Sequence, residues 1–372
     1  MIVGTVGPPA VTPSHRAPPI DQIPAVPASW YLFGTSREVR RGPVSKQMIG
    51  RSLVGFRTES GTAAVLDARC SHLGADLGEG CVVGETIECP FHGWRYGTDG
   101  CAGYIPGGTE PPAFARQASY PTIERHGLLF FFNGRSPLFP LPFFAGCDPQ
   151  HYVPGSPFQI AGDAPWFMLA SNGFDGTHFA KVHDRQLLRP PTVDRPAPFA
   201  CRFSYSAQVS GRSVADRFIR TCLGPTVDVT ITNWGGSVTL VTADFQRARS
   251  LILMVTRPAG PSQSMLDIVV FAPRRSSLPG RLSQQFNLRV RSWLTWQFLR
   301  KDFDRLAGIR YSPNSLIEAD QDLIDFFHWL AALPQSMPSR QEGVAVEDLS
   351  NAIHLPQTNV ASSPANHFNQ SS

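Results

Sequence analysis

Cys70-Ser71-His72-Leu73-Gly74-Ala75 and, a short interval later, Cys89-Pro90-Phe91-His92-Gly93-Trp94 are two versions of one loop. Each carries a thiol, then an imidazole, then a glycine. Two cysteines and two histidines suit either a tetrahedral zinc ion or a two-iron, two-sulfur cluster in which thiolates hold one iron and imidazoles the other. Zinc fingers pair Cys with Cys and His with His along the chain, whereas here each loop mixes the two types, which favours the cluster. Gly74 and Gly93 fall where a tight turn would bring backbone amides close, and Pro90 would stiffen the second loop.

Around these loops, from residue 30 to 134, apolar runs are short (30–33, 52–56, 63–67 and 128–132) and separated by Gly and Pro, which predicts an all-β domain. The proline- and aromatic-rich stretch 137–157 separates it from a second pattern, with the boundary near 150. Strands are expected at 201–210, 226–234, 237–245, 251–256 and 266–271, forming one antiparallel sheet. Amphipathic helices are expected at 282–306 and 315–333, lying on that sheet as an α+β domain.

At 372 residues the chain can hold two cores. The expected division is a proline-rich tail at 1–29, the first domain at 30–150, the second at 151–335 and a polar tail at 336–372. Hydrophobic residues at 42%, charged residues at 17% and a net charge of +4 describe a soluble protein with no call for nucleic acid. The most apolar stretch, 128–144, contains Arg135 and prolines and so predicts no membrane span. An odd count of seven cysteines fits free thiols in a reducing cytoplasm.

The second half holds another ligand set, in Asn172-Gly173-Phe174-Asp175-Gly176-Thr177-His178-Phe179-Ala180-Lys181-Val182-His183. On a helix Asp175 and His178 share a side, and a kink would bring His183 to the same metal. Two histidines and one carboxylate on one face of an octahedron leave positions open for dioxygen on ferrous iron. For the carboxylate, Asp320 is expected, beside the buried face of the last helix, with Asp322 as the fallback because Asp325 marks its side as wetter. The aromatic stripe Trp293, Trp296, Phe298 and Phe303 reads as core.

The paired loops followed by Asn-x2-Asp-x2-His-x4-His resemble the Rieske non-haem iron oxygenases over residues 30–335. That resemblance implies an all-β Rieske domain with a [2Fe-2S] cluster on Cys70, His72, Cys89 and His92, followed by a helix-grip catalytic domain with an antiparallel sheet and long helices. It implies mononuclear Fe(II) held by His178, His183 and Asp320, with O2 as co-substrate and a mostly apolar aromatic or polycyclic small molecule to be hydroxylated, demethylated or N-oxygenated. It further implies a ring, commonly a homotrimer, in which Asp175, supported by Asn172, bridges His178 to a cluster histidine, His92, of the next subunit. The chain has no Gly-x-Gly-x-x-Gly fingerprint, so NAD(P)H electrons would arrive through a separate reductase, with or without a ferredoxin. Ala28-Ser29-Trp30-Tyr31 is similar to members acting on aromatic amines and steroids. The rival reading is a Rieske electron carrier with an iron-free ligand-binding domain.

Overall fold

The computed structural model describes residues 16–108 and 110–335. The first part contains strands β1 (Trp30–Thr35), β2 (Val44–Met48), β3 (Arg51–Arg57), β4 (Ala63–Asp67), β5 (Cys81–Val83), β6 (Thr86–Glu88), β7 (Arg95–Gly97), β8 (Ala102–Tyr104), β9 (Ser119–Tyr120), β10 (Thr122–Arg125) and β11 (Leu128–Phe132). They form three small antiparallel sheets, ordered β1-β11-β10, β2-β3-β4-β9 and β5-β6-β7-β8. β11 is buried along its whole length because it is the central strand, paired with β1 and β10. A fully apolar Leu-Leu-Phe-Phe-Phe run is what such a position requires.

The second part adds β12 (Tyr152–Pro154), β13 (Phe158–Gly162), α1 (Trp166–Ser171), α2 (Gly176–Val182), β14 (Arg185–Leu187), β15 (Thr192–Ala197), β16 (Ala200–Val209), α3 (Val214–Phe218), β17 (Thr226–Trp234), β18 (Val238–Phe245), β19 (Arg249–Gly260), β20 (Gln263–Pro273), α4 (Leu278–Leu306) and α5 (Gln321–Ala331). One antiparallel sheet runs β12-β20-β19-β18-β17-β16-β14, with β13 also on β20 and β15 on β16. The expected all-β domain followed by an antiparallel sheet with helices is therefore the observed architecture. β17 shows how the sequence builds it: Val227, Val229 and Ile231 alternate inward while Asp228 faces out. β19 and β20 run longer than expected because they form one hairpin, paired from Leu251–Phe271 to Gly260–Gln263 with a register shift between Pro258 and Gly260, and polar ends are carried by the pairing.

α4 starts earlier than the periodicity suggests. Ser277 Oγ accepts a hydrogen bond from Gly280 N at 3.2 Å, and Pro279 sits in the first turn, where its missing N–H costs nothing. α5 starts later, because a short 3₁₀ turn, Glu318–Asp320, precedes it.

Two expectations about domain edges change. Residues 1–15 and 336–372 lie outside the described residues, but residues 16–29 are packed against the body. Ala17 and Ile23 are buried, Trp166 Nε1 donates to Pro24 O at 3.1 Å, and Tyr311 OH donates to Pro18 O at 2.7 Å. Proline carbonyls make good acceptors and their rings bury well, so a proline-rich segment need not be a tail. Nor is the stretch from 137 a spacer. Phe139, Leu141 and Phe144 sit in one core with Trp30, Phe132, Leu253 and Phe271, so the two parts share their largest apolar cluster.

Candidate metal centres

The two Cys/His loops are held in the same way. Gly74 N donates to Cys70 O (2.8 Å) and Cys70 N to Ala75 O (2.9 Å), while Gly93 N donates to Cys89 O (3.1 Å) and Cys89 N to Trp94 O (2.8 Å). Gly74 (φ +77°) and Gly93 (φ +66°) both take the left-handed conformation that closes such a loop. Cys70 and Cys89 are buried, and the His72 and His92 rings stand 4.6 Å apart, with Trp94 stacked on His72 at 4.4 Å. Tyr96 OH lies 3.1 Å from Cys70 Sγ and 3.0 Å from Ser71 Oγ. His72 Nδ1 is buried with no hydrogen-bond partner, an orphan that a metal would satisfy.

The spread of these four residues distinguishes cluster from zinc. Tetrahedral zinc with bonds of about 2.0–2.3 Å would bring all four ligand atoms within about 4 Å of each other. Among the described residues the only group with three ligand atoms within 4.8 Å is His178, His183 and Asp302. Cys70, His72, Cys89 and His92 are too far apart for one ion and fit a two-iron cluster.

The second centre is built on a broken helix. Asp175 adopts an extended conformation (φ −108°, ψ 99°), ends the 3₁₀ turn Asn172–Phe174, and caps α2 by accepting a hydrogen bond from His178 N at 2.9 Å. α2 ends at Val182, and Asp184 is left-handed (φ 51°), so the chain turns His183 back under the helix. His178 Nε2 and His183 Nε2 are 3.2 Å apart, and Asn172 Nδ2 is 3.2 Å from His178 Nε2.

The carboxylate brought to these histidines is Asp302, not Asp320. Asp302 Oδ1 lies 2.9 Å from His178 Nε2 and 2.6 Å from His183 Nε2. Asp320 instead accepts a hydrogen bond from Ile317 N at 3.0 Å and holds the turn before α5. Asp322 is half-buried at the start of α5, its carboxyl pushed up by burial and by Asp325. The sequence signal for Asp302 is its register on α4. In α4, Leu288, Thr295, Leu299, Asp302 and Leu306 are buried at helical spacing, so an acid occupies a core position of an amphipathic helix. An unpaired carboxylate there would be costly, so its presence points to a cation or imidazole partner. The aromatic stripe beside it is core only in part, with Phe298 and Phe303 packed against buried clusters. Trp293 and Trp296 are exposed, while Phe298 stacks on His183 (3.7 Å between rings, 7° between planes).

Burial opposes ionisation of Asp302, but hydrogen bonds and charge from His178 and His183 hold its carboxyl below the usual range. Burial pushes His183 down, with His178 and Arg185 assisting, against the pull of Asp302. Both shifts run in the direction that metal binding favours, toward a deprotonated carboxylate and an unprotonated imidazole. His183 Nδ1 is a second buried orphan. From behind, Arg185 Nη1 donates to His183 O at 2.7 Å and pairs with buried Asp216 at 2.9 Å.

Asp302 lies on the wall of a cavity between α4 and the sheet. Its wall is mostly apolar, including Ile231, Met254, Phe298 and Phe303.

Residues 29–121 match the family model described as the Rieske [2Fe-2S] domain. The chain carries a Rieske domain. A [2Fe-2S] cluster is the cofactor of that domain, and Cys70, His72, Cys89 and His92 would hold it. The chain is 35% identical over 165 residues to aminopyrrolnitrin oxygenase PrnD of Pseudomonas fluorescens, covering 42% of this chain and 46% of that protein. It is 40% identical over 105 residues to the oxygenase component of 3-ketosteroid-9-alpha-monooxygenase of Rhodococcus rhodochrous, covering 28% of each. The matched region thus spans less than half the length of these curated relatives. In fold, the chain is similar to dicamba monooxygenase (TM-score 0.61, 18% identity, 82% of this chain and 97% of that one). It is also similar to NdmB of Pseudomonas putida CBB5 (TM-score 0.63, 17% identity, 81% and 89%). The likeness in fold therefore extends well beyond the Rieske domain.

Proposed function

We propose that the chain is the terminal component of a Rieske monooxygenase, with a mononuclear ferrous iron held by His178, His183 and Asp302. The observation that carries the proposal is the convergence of two imidazole nitrogens and one carboxylate oxygen, 2.6 to 3.2 Å apart, at the wall of an apolar cavity. Ferrous iron with three protein ligands on one face supplies dioxygen activation, and the cluster supplies the electron. The chain's own contribution is to orient His178 through Asn172 and the Asp175 cap and to hold the His183 ring against Phe298. The substrate class is a mostly apolar aromatic or polycyclic small molecule, supported by the cavity wall and by the relatives named for a pyrrolnitrin amine and for ketosteroids.

Electrons come from a separate reductase or ferredoxin in this reading. The rim of the cluster loops exposes Leu73 (67%), Phe91 (63%) and Phe114 (60%), an apolar surface suited to contact with another protein or a second copy. Asp175 Oδ1 is taken by His178 N, while Oδ2 makes no hydrogen bond among the described residues. That oxygen supports the proposed role of Asp175 as a link to His92 of a neighbouring copy in a homotrimer. All seven cysteines are unpaired, which supports a cytoplasmic location. No helix among the described residues is long and apolar enough to cross a membrane.

Iron content tests the core of this reading. Purified protein should hold about three irons per chain, two in the cluster and one at the triad. Asp302→Ala should lose the third and keep the visible absorption of the cluster, and Asp320→Ala should keep all three. An iron content of about two in the unaltered protein, with no oxygen uptake on adding aromatic amines or steroids, would mean an electron carrier instead.

A further inference from the structure

The charged groups on the cavity wall are not all accounted for by the metal site. Asp302 faces the two histidines, and Arg185 is matched by Asp216. Arg291 has no carboxylate partner among the described residues. Its Nε donates to Asn287 Oδ1 and its Nη1 to Arg249 O and Ser250 Oγ (3.1 Å for the last), while Nη2 makes no hydrogen bond among the described residues. A half-buried guanidinium with a spare donor on a largely apolar wall is suited to receive an anion.

Its place along the cavity sets what that anion is attached to. Arg291 and Asp302 both lie on α4, eleven residues apart, so their backbones are separated by about 16 Å at 1.5 Å per residue. The opposite wall agrees. Ser250, Ile252, Met254 and Thr256 of β19 line the cavity at alternate positions, a run of about 20 Å. Between the two ends the lining is apolar, apart from scattered threonine hydroxyls.

We infer that Arg291 is the specificity-determining anchor for a carboxylate at one end of an elongated apolar substrate, whose other end reaches His178, His183 and Asp302. The substrate class is a fused-ring or long-chain organic acid rather than a compact neutral aromatic. The acceptors on Asn287, Arg249 and Ser250 fix the guanidinium at this end of the wall and leave Nη2 without a protein acceptor among the described residues. Burial disfavours the unpaired cation, and a carboxylate relieves that cost where a neutral group of the same shape cannot.

The inference rests on reading this cavity as the substrate site, but its test does not depend on turnover. Lithocholate and its methyl ester differ only in the charge at the end of one elongated ring system. Binding of each to the cluster- and iron-loaded full chain is measured by titration calorimetry at neutral pH, for the unaltered protein and for Arg291→Met and Arg291→Lys. The expected result is an affinity for the acid about tenfold above the ester, lost in Arg291→Met and largely kept in Arg291→Lys, with ester affinity unchanged within about twofold. Cluster absorption and ester binding report that each variant is folded. Equal affinity for acid and ester in the unaltered protein, binding of neither, or an acid preference that survives Arg291→Met overturns the inference. Any of these leaves the oxygenase reading intact, because that reading is decided by iron content and oxygen uptake.

Discussion

Arg185 supports the iron site without being able to bind metal. Its guanidinium ties the carbonyl of His183 to Asp216, and its plane lies 5.7 Å from the centre of Phe298, the ring stacked on His183. Arg185→Met removes the bond to His183 and leaves buried Asp216 with Lys301, 4.0 Å away, as its one cation beside the Ser213 hydroxyl, so unfolding free energy should fall by about 3–5 kcal/mol in a denaturant titration. Asp216 gives the pH dependence. Burial raises its pKa, but Ser213, Arg185 and Lys301 together outweigh this and hold the carboxyl below its usual range. A carboxyl depressed in the folded state contributes stability above its unfolded pKa, about 3.9, and loses it as pH falls through the lower folded value. The melting temperatures of the unaltered protein and Asp216→Asn should therefore differ by a constant amount at neutral pH and converge in acid below about pH 4. At this scale the sequence told most where ligands sit in tight local spacing. Cys70, His72, Cys89, His92, His178 and His183 could be proposed from neighbours alone. Asp302 could not, because its partners are 124 and 119 positions away and only helical register marks it.

Among the elements, the cluster loops were legible because each needs a glycine at a fixed offset, and turn chemistry is local. Gly74 and Gly93 have the same left-handed backbone but different surroundings. A Cβ on Gly74 meets nothing within 4 Å, whereas one on Gly93 comes within 3.2 Å of Pro106 Cγ. Gly74→Ala should therefore cost about 1–2 kcal/mol of conformational strain, while Gly93→Ala adds a clash with a stiff ring. Cluster content, read from visible absorption and iron analysis of purified protein, should fall further in Gly93→Ala than in Gly74→Ala. Equal loss would mean that backbone conformation alone sets the tolerance. Strands β16 to β18 were legible to within a residue or so at each end because alternation is strict where one face is buried. The ends of α4 and α5 were not, since Ser277 and the Ile317–Asp320 turn set them through capping rather than through apolar period.

For the whole molecule, the division into two parts was visible but the bond between them was not. Trp30 Nε1 donates to Phe139 O at 2.9 Å, and Ser237 Oγ donates to Trp30 O at 2.8 Å, so the start of the Rieske domain is stitched to β18. Composition marks a proline-rich stretch as a break and cannot show that its phenylalanines fill the seam. The proposed electron passage between copies would give Asp175 a role beyond capping α2. That role can be separated from capping. Asp175→Ala removes the acceptor for His178 N and should destabilise the protein by about 1 kcal/mol, whereas Asp175→Asn keeps an oxygen there and should leave stability nearly unchanged. If Asp175 only caps α2, the Asn variant turns over normally with its reductase. If it links a cluster histidine to His178, Asn cannot supply the charged acceptor, and reductase-driven oxygen uptake should fall by at least about tenfold while iron content and melting temperature stay at those of the unaltered protein.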